Sequence, residues 1–280
     1  MNSDTEDRYI DVGDDLRLHV AISGSGSPVV LLHGFTGSTA TWEPLRAALD
    51  QTHKVIAVDF PGHGLSTAPT DHRRYALDRF ADDLATILTQ LSIKHVALFG
   101  YSMGGRAALR FALAHGDRMK ALILESTSPG ITDAARRAER VESDKELADS
   151  IERDGIESFV ERWEAIPLWR SQASLHDDAR TRLRSQRLRN QTTGLANSLR
   201  AAGAGNDLPV LDRLNEIGAP TLLIAGALDA TYVEHARTME KSLPDCGTVI
   251  VPDAGHAVHL ERPDEFAAAI SDFLQRPAPG

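Results

Sequence analysis

The sequence has little cysteine and no long hydrophobic run. Its one cysteine in 280 residues, Cys246, excludes an intrachain disulfide framework, and no spacing of Cys, His, Asp and Glu is typical of a metal site. No uninterrupted apolar run approaches the roughly 20 residues that span a bilayer. Residues 1–7 are polar and acidic where a signal peptide would be basic and then apolar. We therefore expect a cytoplasmic protein without stable membrane association.

Positive charge is also scarce. The chain has 30 basic and 40 acidic side chains, for a net charge of −10. This balance argues against nucleic acid or an anionic membrane as the main partner. A chain of this length can bury the core of one catalytic domain that carries an insertion. We expect a small-molecule substrate and a monomer or small homo-oligomer.

Short apolar segments alternate with helical patterns along most of the chain. Such alternation predicts an α/β fold with a mostly parallel central sheet and helices on both faces. The predicted strands are residues 16–22, 29–32, 54–58, 96–99, 120–124, 221–225 and 248–251. Strand signals are missing between residues 129 and 216, where helical patterns dominate. We interpret residues 129–216 as a helical cap inserted into a core formed by residues 1–128 and 217–280.

A nucleophile elbow is the most informative motif. Gly-Tyr-Ser-Met-Gly, residues 100–104, stands between an apolar strand pattern and a helical pattern. Glycines two residues before and after Ser102 permit the sharp turn that projects the serine hydroxyl, and the helix N-terminus favours negative charge there. This context predicts that Ser102 is a catalytic residue.

The downstream sequence supplies a base and an orienting acid. Asp229 follows the apolar strand pattern at residues 221–225, and His256 follows the pattern at 248–251. The order Ser, Asp, His is that of α/β-hydrolases. We therefore predict a triad of Ser102, Asp229 and His256, with His259 as the alternative base and Asp253 as the alternative acid.

A glycine-rich loop after the strand at residues 29–32 provides the third element. In this fold one oxyanion donor is the amide after the nucleophile, here Met103, and the second comes from this loop, where position favours Phe35. His63, in the turn at residues 59–66, is interpreted as a packing residue.

One arginine is close to the proposed nucleophile. Arg106 lies four residues after Ser102, one turn along the same helix, so its guanidinium can overhang the pocket. Arginine suits bidentate recognition of carboxylates. The arginines of the cap, by contrast, are matched by acidic residues, as expected of solvated helix faces.

With these residues the chain resembles the 2-succinyl-6-hydroxy-2,4-cyclohexadiene-1-carboxylate (SHCHC) synthase family of menaquinone biosynthesis. The resemblance covers essentially the whole chain and is most specific at residues 100–106, 128–131 leading to Arg140, Trp163, and 188–191 with Gly194. It implies a substrate pocket formed by Tyr101, Arg106, Arg140, Trp163 and Arg189. Without an alignment, Arg136 or Arg137 could replace Arg140, and Arg187 could replace Arg189. Trp169 is a second aromatic candidate.

The family's reaction is elimination of pyruvate from 2-succinyl-5-enolpyruvyl-6-hydroxy-3-cyclohexene-1-carboxylate. The resemblance implies a small polycarboxylate substrate, Ser102 as a base, and no metal or organic cofactor. The triad alone supports equally well a carboxylesterase or carbon–carbon bond hydrolase in which Ser102 is the nucleophile. A non-catalytic ligand receptor on the same fold is a third hypothesis.

Overall fold

A mixed sheet of eight strands forms the centre of the protein in a computed structural model that describes residues 5–275. The strands are β1 (Glu6–Asp11), β2 (Arg17–Ser23), β3 (Ser27–Leu32), β4 (His53–Val58), β5 (Val96–Tyr101), β6 (Met119–Glu125), β7 (Thr221–Gly226) and β8 (Cys246–Val251). Their order is β1-β2-β4-β3-β5-β6-β7-β8. The β1–β2 and β2–β4 pairs are antiparallel, and the five pairs from β4 to β8 are parallel.

Helices cover both faces of this sheet because its strands are apolar on both faces. In β3, Val30 and Leu32 belong to one buried cluster, whereas Val29 and Leu31 belong to the other. Helices α2, α3 and α7 pack on the first face, and α1 and α9 pack on the second. The helices are α1 (Glu43–Leu49), α2 (Leu77–Gln90), α3 (Met103–Ala114), α4 (Ala134–Glu164), α5 (Asp177–Leu188), α6 (Thr192–Ala202), α7 (Ala230–Glu240), α8 (Val258–Glu261) and α9 (Pro263–Leu274).

The segment between β6 and β7 is helical and has a small core of its own. It contains α4, α5, α6 and a 3₁₀ helix at Pro167–Ser174. Ile151, Phe159, Val160 and Leu195 are fully buried where α4 packs on α6. Gly155, with φ of 83°, interrupts the helical geometry of α4 and kinks the helix. The proposed cap limits at residues 129 and 216 stay a prediction.

Each predicted strand is confirmed to within a few residues, but the sequence interpretation missed β1. Five of its six side chains are exposed, so Glu6–Asp11 has no apolar alternation to signal a strand. It pairs along its whole length with β2. Within residues 5–275, no helix is both long and apolar enough to cross a bilayer.

Candidate active site

Ser102 lies at the tip of a strained turn between β5 and α3. Its φ of 52° and ψ of −110° are unusual for a residue with a side chain. Two glycines make the turn possible, because a Cβ on Gly100 would lie 2.3 Å from the Gly104 carbonyl oxygen and one on Gly104 would lie 2.3 Å from the Leu32 carbonyl oxygen. The turn is held by hydrogen bonds that join its backbone to β6 and to Thr127.

The hydroxyl of Ser102 is part of a hydrogen-bonded chain with His256 and Asp229. His256 Nδ1 is 2.8 Å from Asp229 Oδ2, and His256 Nε2 is 3.0 Å from Ser102 Oγ. A carboxylate oxygen accepts, so Nδ1 carries the hydrogen and donates a hydrogen bond to Asp229. Nε2 is then the acceptor for the serine hydroxyl, which is the arrangement of a base ready to take the serine proton.

Aromatic rings restrict the position of His256. Its imidazole is 2% exposed and lies 4.4 Å from the Tyr232 ring, 5.4 Å from the Tyr101 ring and 5.5 Å from the Trp169 ring, between centroids. Tyr232 was missed from sequence, because a tyrosine three residues after the acid carries no recognisable signal. These contacts keep bulk water from the back of the imidazole.

The alternative base and acid lie elsewhere. His259 is buried and its Nδ1 is 2.9 Å from both carboxylate oxygens of Glu125, with its ring packed between Trp42 and Tyr101. Asp253 is exposed and faces Arg262 at 3.5 Å. Neither group is joined to Ser102, so the structure favours His256 and Asp229.

The loop that carries His256 is fixed by a carboxylate that sequence reasoning missed. Glu261 accepts hydrogen bonds from the amides of Gly255 (2.7 Å) and Ala257 (3.4 Å), on either side of His256. Glu261 and His259 both belong to the short helix α8, and the Glu125–His259 pair anchors this helix to the end of β6. Only the folded structure shows these roles, because Glu125 and His259 are 134 positions apart.

Phe35 and Met103 both line the cavity at Ser102. Met103 is the first residue of α3, and the first amides of a helix have no intrahelical acceptor. The Phe35 ring packs edge-to-face on Trp163 at 5.5 Å and on Phe159 at 6.2 Å, between centroids. The position of this loop is therefore fixed against the cap as well as the core.

The cavity above Ser102 has a volume of about 230 Å³ and includes two of the predicted arginines, Arg106 and Arg140. Tyr101, Trp163 and Trp169 also line it. Burial raises the pKa of Tyr101 well above its ordinary value, so this phenol stays neutral. The cavity therefore combines aromatic walls with two cationic groups.

Both cavity arginines are held by aspartates. Arg106 is buried and donates to Asp207 Oδ2 (3.2 Å) and to the Ala202 carbonyl oxygen (2.7 Å). Arg140 donates from Nε to Asp144 (2.7 Å), and its side chain is 48% exposed. Each guanidinium keeps further N–H donors, because arginine carries five.

The structure does not bring Arg189 to this cavity. Arg189 is the exposed C-cap residue of α5, and it is absent from the described residues that line the cavity. Arg187, the sequence-level alternative, is instead buried beside Trp169. Arg136 is exposed, and Arg137 donates to the Ile131 carbonyl oxygen at 3.2 Å; both are likewise absent from the described lining residues.

A buried polar cluster supports the loop that contains Phe35. Asp59 accepts from the Thr39 amide (2.6 Å), the Leu65 amide (2.9 Å) and His19 Nδ1 (2.7 Å). Burial acts to raise the pKa of Asp59, but these hydrogen bonds and the nearby histidines lower it overall, so it stays ionised.

His63 also belongs to this support. It donates from Nδ1 to the Pro61 carbonyl oxygen (3.0 Å), and its ring lies 5.9 Å from that of Phe35. Burial lowers the pKa of His63 to about 3. It is not hydrogen-bonded to Ser102, which agrees with a packing role. Across residues 5–275, no group of three or more His, Cys, Asp or Glu side chains could hold a metal ion.

Comparisons with known proteins agree with this geometry. A family model described as alpha/beta hydrolase fold matches residues 27–263. A protein of Bacillus subtilis (strain 168), named as a candidate SHCHC synthase, is 45% identical over 95% of this chain and 97% of its own. The structure of MenH from S. aureus superimposes with a TM-score of 0.88 at 35% identity, covering 91% of this chain and 97% of that one. A thermophilic esterase from Thermogutta terrifontis, with malate bound, gives a TM-score of 0.86 at 28% identity, covering 96% and 98%. The chain therefore belongs to the SHCHC synthase family of the α/β-hydrolase superfamily.

Proposed function

We propose that this protein is a lyase that eliminates pyruvate from 2-succinyl-5-enolpyruvyl-6-hydroxy-3-cyclohexene-1-carboxylate to give SHCHC in the cytoplasm. The observation that carries the proposal is the placement of Arg106 and Arg140 in the same cavity as Ser102 and His256. An enzyme for neutral esters has no need of two cations there, whereas a substrate with several carboxylates does. The names of its relatives support the same reaction.

In the proposed mechanism Ser102 acts as a base. His256 accepts the serine proton through Nε2, and the serine oxygen takes the proton α to the succinyl ketone. The electron pair of that C–H bond first forms the enolate of the ketone. It then forms a new ring double bond, the existing ring double bond moves, and the C–O bond to the enolpyruvyl group breaks. The leaving group departs as the enolate of pyruvate and takes the proton that His256 holds, so pyruvate is released, the triad is restored and a conjugated diene remains. The step as written requires no metal or organic cofactor.

Negative charge develops on the ketone oxygen during proton removal. We assign its stabilisation to the amides of Phe35 and Met103, which line the cavity beside Ser102. Backbone donors fixed before the reaction stabilise such an oxyanion by several kcal/mol, because they need no reorganisation. Asp229 keeps the proton of His256 on Nδ1 and stabilises the imidazolium that forms.

Formation of the conjugated diene tests the proposal through its absorbance, with the enolpyruvyl substrate supplied by a coupled upstream enzyme. Wild-type protein is expected to increase the rate by orders of magnitude over the uncatalysed reaction, and Ser102→Ala is expected to abolish that increase. Failure of the wild type to form the diene would refute the proposal.

The esterase-type hydrolase remains the second candidate, because the triad and the likeness to an esterase of known structure favour it. The two differ in covalent chemistry. A hydrolase passes through an acyl-enzyme on Ser102, whereas the proposed lyase forms none. Intact-protein mass spectrometry during turnover separates them: a substrate-derived adduct on Ser102 that forms and decays at the turnover rate supports the hydrolase.

A further inference from the structure

The corner between α5 and α6 joins the cap to the loop that contains Phe35. Asn190 lies in this corner, is 7% exposed and donates from Nδ2 to the Thr36 carbonyl oxygen at 2.9 Å. Asn190 and Gly194 belong to the segments where the chain resembles the SHCHC synthase family most specifically, yet neither is among the described residues that line the catalytic cavity. Contact with substrate therefore does not account for these two residues.

The turn that Asn190 contacts is strained. A hydrogen bond from the Gly37 amide to the Gly34 carbonyl oxygen, 3.0 Å long, closes this turn. Thr36, inside it, has a φ of 69°, which is unfavourable for a β-branched residue. Such a backbone conformation persists only where the surrounding structure holds it. The hydrogen bond from the cap is one of the contacts that hold it.

Two peptide units connect Asn190 to the proposed oxyanion donor. The Thr36 carbonyl and the Gly37 amide belong to one unit. The Gly34 carbonyl and the Phe35 amide belong to the other. Both units are trans, so within each unit the C=O and N–H bonds point in opposite directions. The hydrogen bond from Asn190 orients the first unit, whose N–H in turn holds the C=O of the second. The direction of the Phe35 N–H bond therefore depends on Asn190.

The Phe35 amide is available to a ligand. It donates to no group within residues 5–275, and Phe35 lines the cavity at Ser102. The Gly34 carbonyl oxygen of the same peptide unit accepts a second hydrogen bond, from Nδ1 of the buried His33 at 2.7 Å. Hydrogen bonds in series polarise one another. The donors behind this peptide unit therefore both orient the Phe35 N–H and make it a stronger donor.

The side chain of Asn190 is itself fixed. Its Nδ2 also faces the carbonyl oxygens of Arg187 (3.2 Å) and Gln186 (3.4 Å), so the nitrogen of the amide must point to this side. Its Oδ1 is buried and has no partner in the described part of the chain. An unpaired buried acceptor costs stability, which favours a role of Asn190 in function over a role in stability alone.

Two further contacts hold the same corner on the core. Gln186 donates from Nε2 to Thr41 Oγ1 at 2.7 Å. Gly194 packs so closely on the turn at residues 59–66 that a Cβ on it would lie 2.1 Å from the Gly62 carbonyl oxygen. The corner is therefore fixed on the core at positions on both sides of Asn190 in the chain.

We propose that Asn190 is a positioning residue of the oxyanion hole, which orients the Phe35 amide through the two peptide units of the turn. The oxyanion hole is then complete only when the cap is docked on the core. The inference rests on the role that the proposed function gives to the Phe35 amide. An ester hydrolase would use the same amide, so the inference applies to both candidate reactions.

Steady-state kinetics of diene formation test this role. Asn190→Ala is expected to lower kcat roughly tenfold or more, while KM changes by less than about threefold. The reason is that an oriented oxyanion donor stabilises the transition state more than the bound substrate. A cap that is merely loosened would instead raise KM, because Arg140 and Trp163 of the cap line the catalytic cavity.

Asn197→Ala is the matched control. Asn197 is a buried asparagine of α6 that donates from Nδ2 to the core, to the carbonyl oxygens of Pro69 (3.1 Å) and Thr70 (3.3 Å). It is not among the described residues that line the catalytic cavity. Its kcat is expected to change by less than about threefold. Equal losses of kcat in the two variants would show that Asn190 acts only by docking the cap, and the inference would fail.

Asn190→Leu separates the hydrogen bond from the packing of the side chain. Leucine has a similar volume but no donor, so its kcat should be as low as that of Asn190→Ala, whereas its Tm should lie closer to that of the wild type. A wild-type kcat in Asn190→Leu would overturn the inference.

Inactivation by a fluorophosphonate makes failure of this inference distinguishable from failure of the proposed function. Ser102 Oγ attacks phosphorus, fluoride leaves, and the negative charge that develops on the phosphoryl oxygen is stabilised by the same amides. Inactivation that is roughly tenfold slower in Asn190→Ala but not in Asn197→Ala supports the inference, even where the wild type forms no diene and the proposed function fails. Equal inactivation rates in the two variants, zero rates included, refute the inference and leave the proposed function intact.

Discussion

Replacement of Arg106 by alanine tests the link between the catalytic cavity and an anionic substrate. The side chain is buried beside Ser102 and is held by Asp207 and the Ala202 carbonyl oxygen. A carboxylate that loses a charged partner in such a site binds more weakly by about 2–4 kcal/mol, so kcat/KM should fall roughly 30- to 1000-fold. Arg106→Lys should recover only part of this loss, because lysine lacks the planar pair of donors.

The same substitution has a smaller expected effect on stability. Asp207 keeps a second cation, since Arg110 donates to its Oδ1 from Nη2 at 2.7 Å and from Nε at 3.0 Å. Removal of Arg106 therefore leaves no unpaired buried carboxylate, and the loss in free energy of unfolding should be about 1–2 kcal/mol. Urea denaturation measures this term separately from catalysis.

Arg110→Ala is the matched control for Arg106→Ala. It removes the other partner of Asp207, one helical turn further along α3, and Arg110 is not among the described residues that line the cavity. Its kcat/KM should change by less than about threefold despite a comparable loss of stability. Equal losses of kcat/KM in the two variants would show that Arg106 acts through the fold, and the argument for a polycarboxylate substrate would fail.

Four other substitutions have defined outcomes. In diene-formation assays, His256→Ala should reduce turnover by orders of magnitude and His259→Ala should reduce it far less. The reverse result would show that His259, and not His256, is the base. Burial lowers the pKa of His63 to about 3 in the folded state. Below about pH 6.5, the ordinary pKa of histidine, His63 therefore takes up a proton in the unfolded chain but not in the folded one. The free energy of unfolding consequently falls as the pH drops below that value. Between pH 7 and 5 this loss of free energy of unfolding amounts to about 2 kcal/mol. His63→Asn removes the titrating group, so its stability in urea denaturation should depend less steeply on pH than that of the wild type. An unchanged pH dependence would contradict the lowered pKa of His63. Gly104→Ala places a Cβ 2.3 Å from the Leu32 carbonyl oxygen, so activity should fall at least about 100-fold, and a fully active variant would show that the turn is not constrained as described.

The local sequence determined the scaffold and the nucleophile. The turn at Ser102 depends on glycines two positions away and on the strand and helix patterns beside it, all within a few residues of one another. The buried parallel strands are recognisable for the same reason, because burial on both faces requires a continuous apolar run. The edge strand β1 has no such requirement: five of its six side chains face solvent, and only its pairing with β2 makes it a strand.

Tertiary structure decided between neighbours in the chain that the sequence left equivalent. Arg187 and Arg189 are two residues apart, which is roughly 200° around a helix, so they face opposite directions. Packing of α5 against the rest of the cap and the core turned Arg187 inward. The choice of His256 over His259 depended likewise on distant partners, since Asp229 lies 27 positions and Glu125 134 positions from the histidine that each one holds. Contacts at such separations are set by how the strands order themselves in the sheet, which no local pattern encodes.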